Sequence, residues 1–194
     1  MGKFSPSNTS TPDLDVDDGT LSVDETNNRV GVGTTSPTTN LDVDGSFRTG
    51  LVTLTATGAI TAATHAGRIL LMGEVGGNAQ AVFTLPAASG TGNVYKFVVS
   101  VVNTSNYVIQ VSNNMQVLRG QVVTLNDSAA GGVDSTISWP TEAQSDTITL
   151  NGTTTGGVSI GDYIELIDIS SNIYAVNGLV RASGSEATPF SAAV

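Results

Sequence analysis

The chain has 194 residues, room for one good-sized domain or for a domain with an extension. Its formal net charge is -10, with only seven Lys and Arg in total, which leaves no basic patch for a phosphate backbone and argues against nucleic acid and against an anionic membrane surface. There is no cysteine, so disulfides, thiolate metal sites and Cys nucleophiles are excluded.

Charged residues make up 12% of the chain, about half of the roughly 25% usual in soluble domains. Thr, Ser, Asn and Gly supply the remaining polarity. Thr favours strands, and Gly and Asn favour turns, so the bias points to an all-β protein. Weakly charged β-surfaces tend to associate, and the expectation is an obligate oligomer.

In chain order, Met1 to Asp13 is polar, carries Pro6 and Pro12, and reads as an arm that orders only on a partner. It has no apolar core of the kind a cleaved signal needs, and no later run approaches the roughly 18 apolar residues of a membrane span. Short alternating pieces follow, with Leu14/Val16, Leu21/Val23, Val30/Val32 and Leu41/Val43 as their inward residues. Each piece is too small to form a core alone, because isolated short hairpins are marginal. Three copies wound together would close a small prism. An echo runs through this region: Asp13-Leu14-Asp15-Val16-Asp17 recurs 27 residues later as Asn40-Leu41-Asp42-Val43-Asp44.

Ser46 to Gly50 links this first region, residues 1–50, to a second, residues 51–194, patterned as a globular β-domain. The spacing predicts strands at Leu51–Thr55, Arg68–Met72, Ala81–Leu85, Val94–Val102, Tyr107–Val111, Val117–Leu125, Thr136–Trp139, Thr147–Leu150, Tyr163–Ile169 and Ile173–Val176. Turn residues fill the gaps. Short strands at this spacing suggest an antiparallel β-sandwich or jelly roll. Its centre is expected at Val94–Val111, where Tyr95, Phe97, Val99 and Val101, and then Tyr107, Ile109 and Val111, alternate on either side of a four-residue polar break. That pattern predicts a β-hairpin. Thr57–Ala66 is Ala-rich and allows at most a short helical turn.

Few side chains suggest chemistry. His65 is the single histidine, and no GxSxG elbow accompanies it, so it reads as structural. Asp13-Leu14-Asp15-Val16-Asp17-Asp18-Gly19 looks like the start of a calcium loop, but an EF-hand has Gly sixth and Glu twelfth, where this chain has Asp18 and Asp24. The segment fits a strand with one wet face better, although a cation shared among chains stays open. Glu165 and Asp168 fall on opposite faces of one strand, and Asp162 and Asp168 share a parity but lie far apart, so no glycosidase pair is selected. Trp139, Tyr107 and Tyr163 could line a sugar platform, yet they read first as core. Asn151-Gly152-Thr153 matches a glycosylation sequon and reads as a tight turn. No catalytic, cofactor or metal residue is assigned.

Asn28-Arg29-Val30-Gly31-Val32-Gly33-Thr34-Thr35-Ser36-Pro37, followed by Leu41-Asp42-Val43-Asp44-Gly45, resembles a motif of phage fibre and other virion proteins, with Val32 where Ile is more common. There it marks a small intertwined β-region, usually trimeric. Phe83-Thr84-Leu85-Pro86-Ala87, Val94-Tyr95-Lys96-Phe97-Val98-Val99, Asp146 through Gly152, Gly161 through Leu166 and Glu186 through Ser191 resemble small structural proteins of tailed phages. The resemblance implies a β-sandwich in a capsid decoration (cement) protein or short head fibre. Such a protein binds the outer capsid surface as a homotrimer, with the major capsid protein as its partner, and stabilises the shell without being an enzyme. The alternative it leaves is a short tail fibre or adhesin tip that binds a host surface glycan.

Overall fold

The computed structural model describes residues 14–16, 20–73, 75–77, 79–126 and 135–194. The expected arm, Met1 to Asp13, lies outside the described residues, as do Asp13 and Asp17 to Gly19 of the calcium-like segment. The chain divides into two compact units, residues 1–48 and 49–194.

The first unit is one four-stranded sheet. Its strands are β1 (Leu14–Val16), β2 (Leu21–Asp24), β3 (Arg29–Val32) and β4 (Leu41–Val43), in the order β1-β2-β3-β4. The first two pairings are antiparallel and β3–β4 is parallel. The two copies of the Leu-Asp-Val echo are thus the two outermost strands.

The second unit is all-β, with two sheets enclosing one core. Its strands are β5 (Leu51–Leu54), β6 (Gly58–Ala59), β7 (Ile69–Met72), β8 (Ala81–Thr84), β9 (Val94–Val99), β10 (Tyr107–Gln110), β11 (Val117–Asn126), β12 (Thr136–Pro140), β13 (Thr147–Leu150), β14 (Tyr163–Ser170), β15 (Ile173–Ala182) and β16 (Phe190–Ser191). A single turn of helix, α1 (Ala62–His65), precedes β7. One sheet runs β12-β11-β15-β14-β9-β7-β5 and the other β16-β13-β10-β8-β6.

The expected hairpin is not one. β9 pairs with β14 and β7 in the larger sheet, whereas β10 pairs with β13 and β8 in the smaller. The polar break between them is an arch from one sheet to the other. The inward parity holds as far as the strands run: Tyr95, Phe97, Val99, Tyr107, Ile109 and Val111 are buried, whereas Val101, expected with them, lies beyond the end of β9 and is only half-buried. They meet across the core, where the Phe83 ring lies 6.0 Å from Phe97 and 6.2 Å from Tyr107.

Arching is the rule in this unit. Among its described strands, only β11–β12 and β14–β15 connect within a sheet; every other consecutive pair crosses the core. A chain that crosses and returns comes back running the same way. Hence β5/β7, β7/β9, β6/β8 and β8/β10 are parallel, where a hairpin-built sandwich would be antiparallel; β11/β15, separated by two hairpins and an excursion to β13, is parallel too. Three further details depart from the sequence reading. β6 and β16 are additional two-residue strands, and β15 runs on through Asn177-Gly178 to Ala182.

The outer face of the larger sheet is less wet than its polar residues suggest. Register places Val123, Leu179, Tyr163, Val98 and Leu71 side by side on five neighbouring strands. The adjacent row carries Gln121, Asn177, Glu165 and Lys96. Lys96 Nζ sits 4.7 Å from the centroid of the Tyr163 ring, a cation–π distance.

Candidate self-association face

The fibre-like motif of the first unit can be followed residue by residue. The β2–β3 turn closes because Asp24 accepts hydrogen bonds from Asn27 N at 3.0 Å and Asn27 Nδ2 at 2.8 Å, while Asn28 takes the left-handed conformation at φ 55°. The Asn27 side-chain bond, with its backbone bond, holds the Asp24 carboxyl below the usual range.

Residues 33–40 then cross over the sheet. Arg29 Nη1 donates to Pro37 O at 2.8 Å. Asp42 accepts from Thr38 N at 2.8 Å and Thr38 Oγ1 at 2.9 Å, bonds that keep its carboxyl below the ordinary value. Gly31 has to be glycine because a Cβ there would collide with the Thr34 carbonyl. Gly33 adopts φ +75°, and a Cβ there would collide with the Asp44 carbonyl.

Register fixes what each face of the sheet carries. Across the strands, Val23, Val30 and Leu41 form one row, and Leu21, Val32 and Val43 a second row on the same face. β1 pairs alongside, with Leu14 opposite Val23 and Val16 opposite Leu21. The intervening row, Ser22–Gly31–Asp42, belongs to the opposite face.

Burial runs against hydrophobicity here. Within residues 20–48 the buried residues are Ser22, Gly31 and Pro37, on the face that the crossover covers. None of the six apolar row residues of β2, β3 and β4 is buried, and Leu41 is 57% exposed. A single-layer sheet has no interior of its own, and six aliphatic side chains left in contact with water are unfavourable. No charged residue stands in either apolar row.

The side chains that suggested chemistry serve the second unit's loops. His65 Nδ1 accepts from Thr61 N at 2.9 Å, capping its own short turn, and its ring hydrogen-bonds to Thr61 alone among the described residues. Asp168 lies on the buried face of β14, where it accepts from the amides of Ser89, Gly90 and Thr91 at 2.9, 2.7 and 3.1 Å and from Thr91 Oγ1 at 2.6 Å. Burial pushes its carboxyl up, but the Thr91 hydroxyl and the three amides outweigh that and hold it below the ordinary value. Asp162 accepts from the amides of Gly157, Ser159 and Arg181 at 3.1, 3.3 and 3.0 Å. There burial prevails and its carboxyl is raised.

Glu165 faces outward beside Lys96. The three carboxylates therefore serve separate surroundings and form no catalytic pair. Tyr107 is core, its hydroxyl 2.7 Å from Val101 O and 2.9 Å from Gly73 O. Tyr163 lies on the outer sheet face and Trp139 on the edge strand β12, so the three aromatics share no platform. Asn151 is a turn residue: its Oδ1 accepts from Thr153 N and Thr155 N at 2.9 and 3.0 Å, and its Nδ2 donates to Thr154 Oγ1 at 3.0 Å. Among the described residues no group of three His, Asp or Glu is placed to hold a metal ion.

Buried polar residues at the arches carry no sequence pattern of their own. Gln116, Asn103 and Asp146 are 0%, 2% and 4% exposed. Only their position, just beyond an alternating run, marks them in the sequence. No protein-family model matches the chain, and comparisons with curated proteins and with solved structures find no match.

Proposed function

We propose that the protein is a self-associating structural subunit of a phage virion: a capsid decoration protein that binds the outer capsid surface as a homotrimer and stabilises the shell. The observation that carries the reading is the uncharged apolar face of the first unit, which lacks an interior in a single chain. Copies that turn this face toward one another bury both rows at once. Asp24 and Asp42 meanwhile keep to the opposite face, so these rows come together without enclosing their charges. The likeness of the Asn28–Pro37 motif to trimeric fibre regions supports three copies rather than two.

The activity in this reading is binding. A subunit that binds only the assembled shell stabilises it by mass action, and three joined copies multiply weak contacts through effective concentration. The second unit supplies a body stiffened by carboxylates that hold its loops.

The test has two stages. Sedimentation equilibrium of the full chain is expected to give a trimer, and Val32→Asp to give a monomer whose second unit melts as in the parent. The parent trimer, mixed with undecorated phage heads, is expected to bind saturably and raise their thermal rupture temperature. A parent chain that sediments as a monomer, or heads whose rupture temperature is unchanged at saturating protein, would reject the proposal.

A further inference from the structure

The open side of the second unit, between the edge strands β12 and β16, holds a cavity of about 350 Å³. Its walls include Trp139 and Pro140 from β12, Glu142 and Gln144 from the following loop, and Phe190 and Ser191 from β16. That volume is at the small end of ligand sites, roughly 300–1,000 Å³.

The walls are fixed before any ligand arrives. Arg119 Nη1 and Nη2 donate to the carbonyls of Glu142 and Ala143 at 3.1 and 2.8 Å. Glu142 N donates to Ser145 Oγ at 2.9 Å, and Leu118 N to Ser145 O at 2.7 Å. On the other wall, Asp146 accepts from Ala193 N at 2.8 Å and so ties down the tail beyond β16.

Against this rigid frame, the side chains of Glu142 and Gln144 are exposed and make no hydrogen bond to another described residue. The indole Nε1 of Trp139 is buried without an acceptor among the described residues.

The lining decides the chemistry. It contains no Lys, Arg or His, and its one carboxylate sits in a chain of net charge -10, so phosphates, sulfates and uronates are disfavoured. An indole and two apolar rings beside a carboxylate and an amide suit a molecule with an apolar C–H face and a rim of hydroxyls. We infer that this cavity binds one or two rings of a neutral saccharide, with a ring face against Trp139 and hydroxyls on Glu142 and Gln144. The site is independent of the self-association face and does not need it.

Trp139 is the chain's single tryptophan, so its fluorescence reports this site directly. The full chain is titrated with the methyl glycosides of glucose, galactose, mannose and N-acetylglucosamine, with glucuronate and choline as charged controls at matched ionic strength. At least one neutral glycoside is expected to give a saturable change with a Kd in the millimolar range, and neither control to do so. Glu142→Ala and Gln144→Ala, both on the surface, are each expected to weaken that binding about ten-fold, the loss of one good hydrogen bond, with no change in melting temperature. Three results would overturn the inference: no saturable response to any of the four glycosides, a tighter response to glucuronate or choline, or binding untouched by both substitutions.

Discussion

Asp162 and Asp168 are six positions apart and titrate in opposite senses, because the balance between burial and hydrogen bonding differs at each. Asp168 gathers three successive amides and a hydroxyl, enough to favour its charged form. Asp162 receives three amides, and burial still prevails. The unfolded reference for both is near pH 4. The stability that Asp168 supplies is therefore complete above about pH 4 and disappears as pH falls through its lower folded value. Asp168→Asn is expected to cost about 2–3 kcal/mol at pH 7, since an amide nitrogen would face the Thr91 amide N–H. That deficit should shrink below about pH 4. For Asp162 the folded state holds the extra proton, so the parent gains stability as pH falls through the raised value toward 4. The difference between parent and Asp162→Asn should thus change above about pH 4, and in favour of the parent on acidification. Urea denaturation of the three proteins as a function of pH checks both slopes; parallel pH profiles would contradict the assignment.

At the scale of elements, the arch explains both what the sequence made legible and what it hid. Alternation in Val94–Val99 and Tyr107–Gln110 identifies the strands and their inward residues, because burial of every second side chain depends only on facing a core. It carries no information on which sheet each strand joins. A hairpin and an arch both read as two alternating runs around a polar loop, and the parallel pairings were illegible for that reason. The difference lies in the loop. Asn103 is 2% exposed, with Nδ2 donating to Ala79 O at 2.8 Å and Oδ1 accepting from Ser105 N at 2.8 Å. It serves one backbone carbonyl ahead of β8 and one backbone amide within the arch. Asn103→Ala leaves that carbonyl and that N–H without partners in a closed space, and a loss of about 1–3 kcal/mol is expected from chemical denaturation. A loss below about 0.5 kcal/mol would mean that water replaces the side chain. β15 shows the same limit of pattern reading. Asn177-Gly178 resembles a turn, yet Gly178 lies mid-strand, where a Cβ would sit 2.6 Å from Ile164 Cδ1. Close packing between strands, a tertiary demand, selects glycine there. The Trp139 cavity was equally hidden, since its two walls lie some fifty residues apart in sequence.

For the whole molecule, charge and hydrophobicity compete, and salt separates them. Each chain carries -10 at pH 7, so copies repel one another at any distance the solvent does not screen. The proposed contact is made by rows of Leu and Val without a charged residue, so screening removes a cost and sacrifices no ion pair. The Debye length falls from about 30 Å at 0.01 M salt to about 8 Å at 0.15 M. Association of the parent chain is therefore expected to tighten as sodium chloride rises from about 10 to 150 mM, and to tighten further in sulfate, which strengthens apolar burial. An interface held by the Asp24, Arg29 and Asp42 side of the sheet would respond in the opposite sense, because its ion pairs would be screened. Sedimentation equilibrium across that salt series distinguishes the two faces without any mutation, and dissociation on adding salt would place the contact on the charged side.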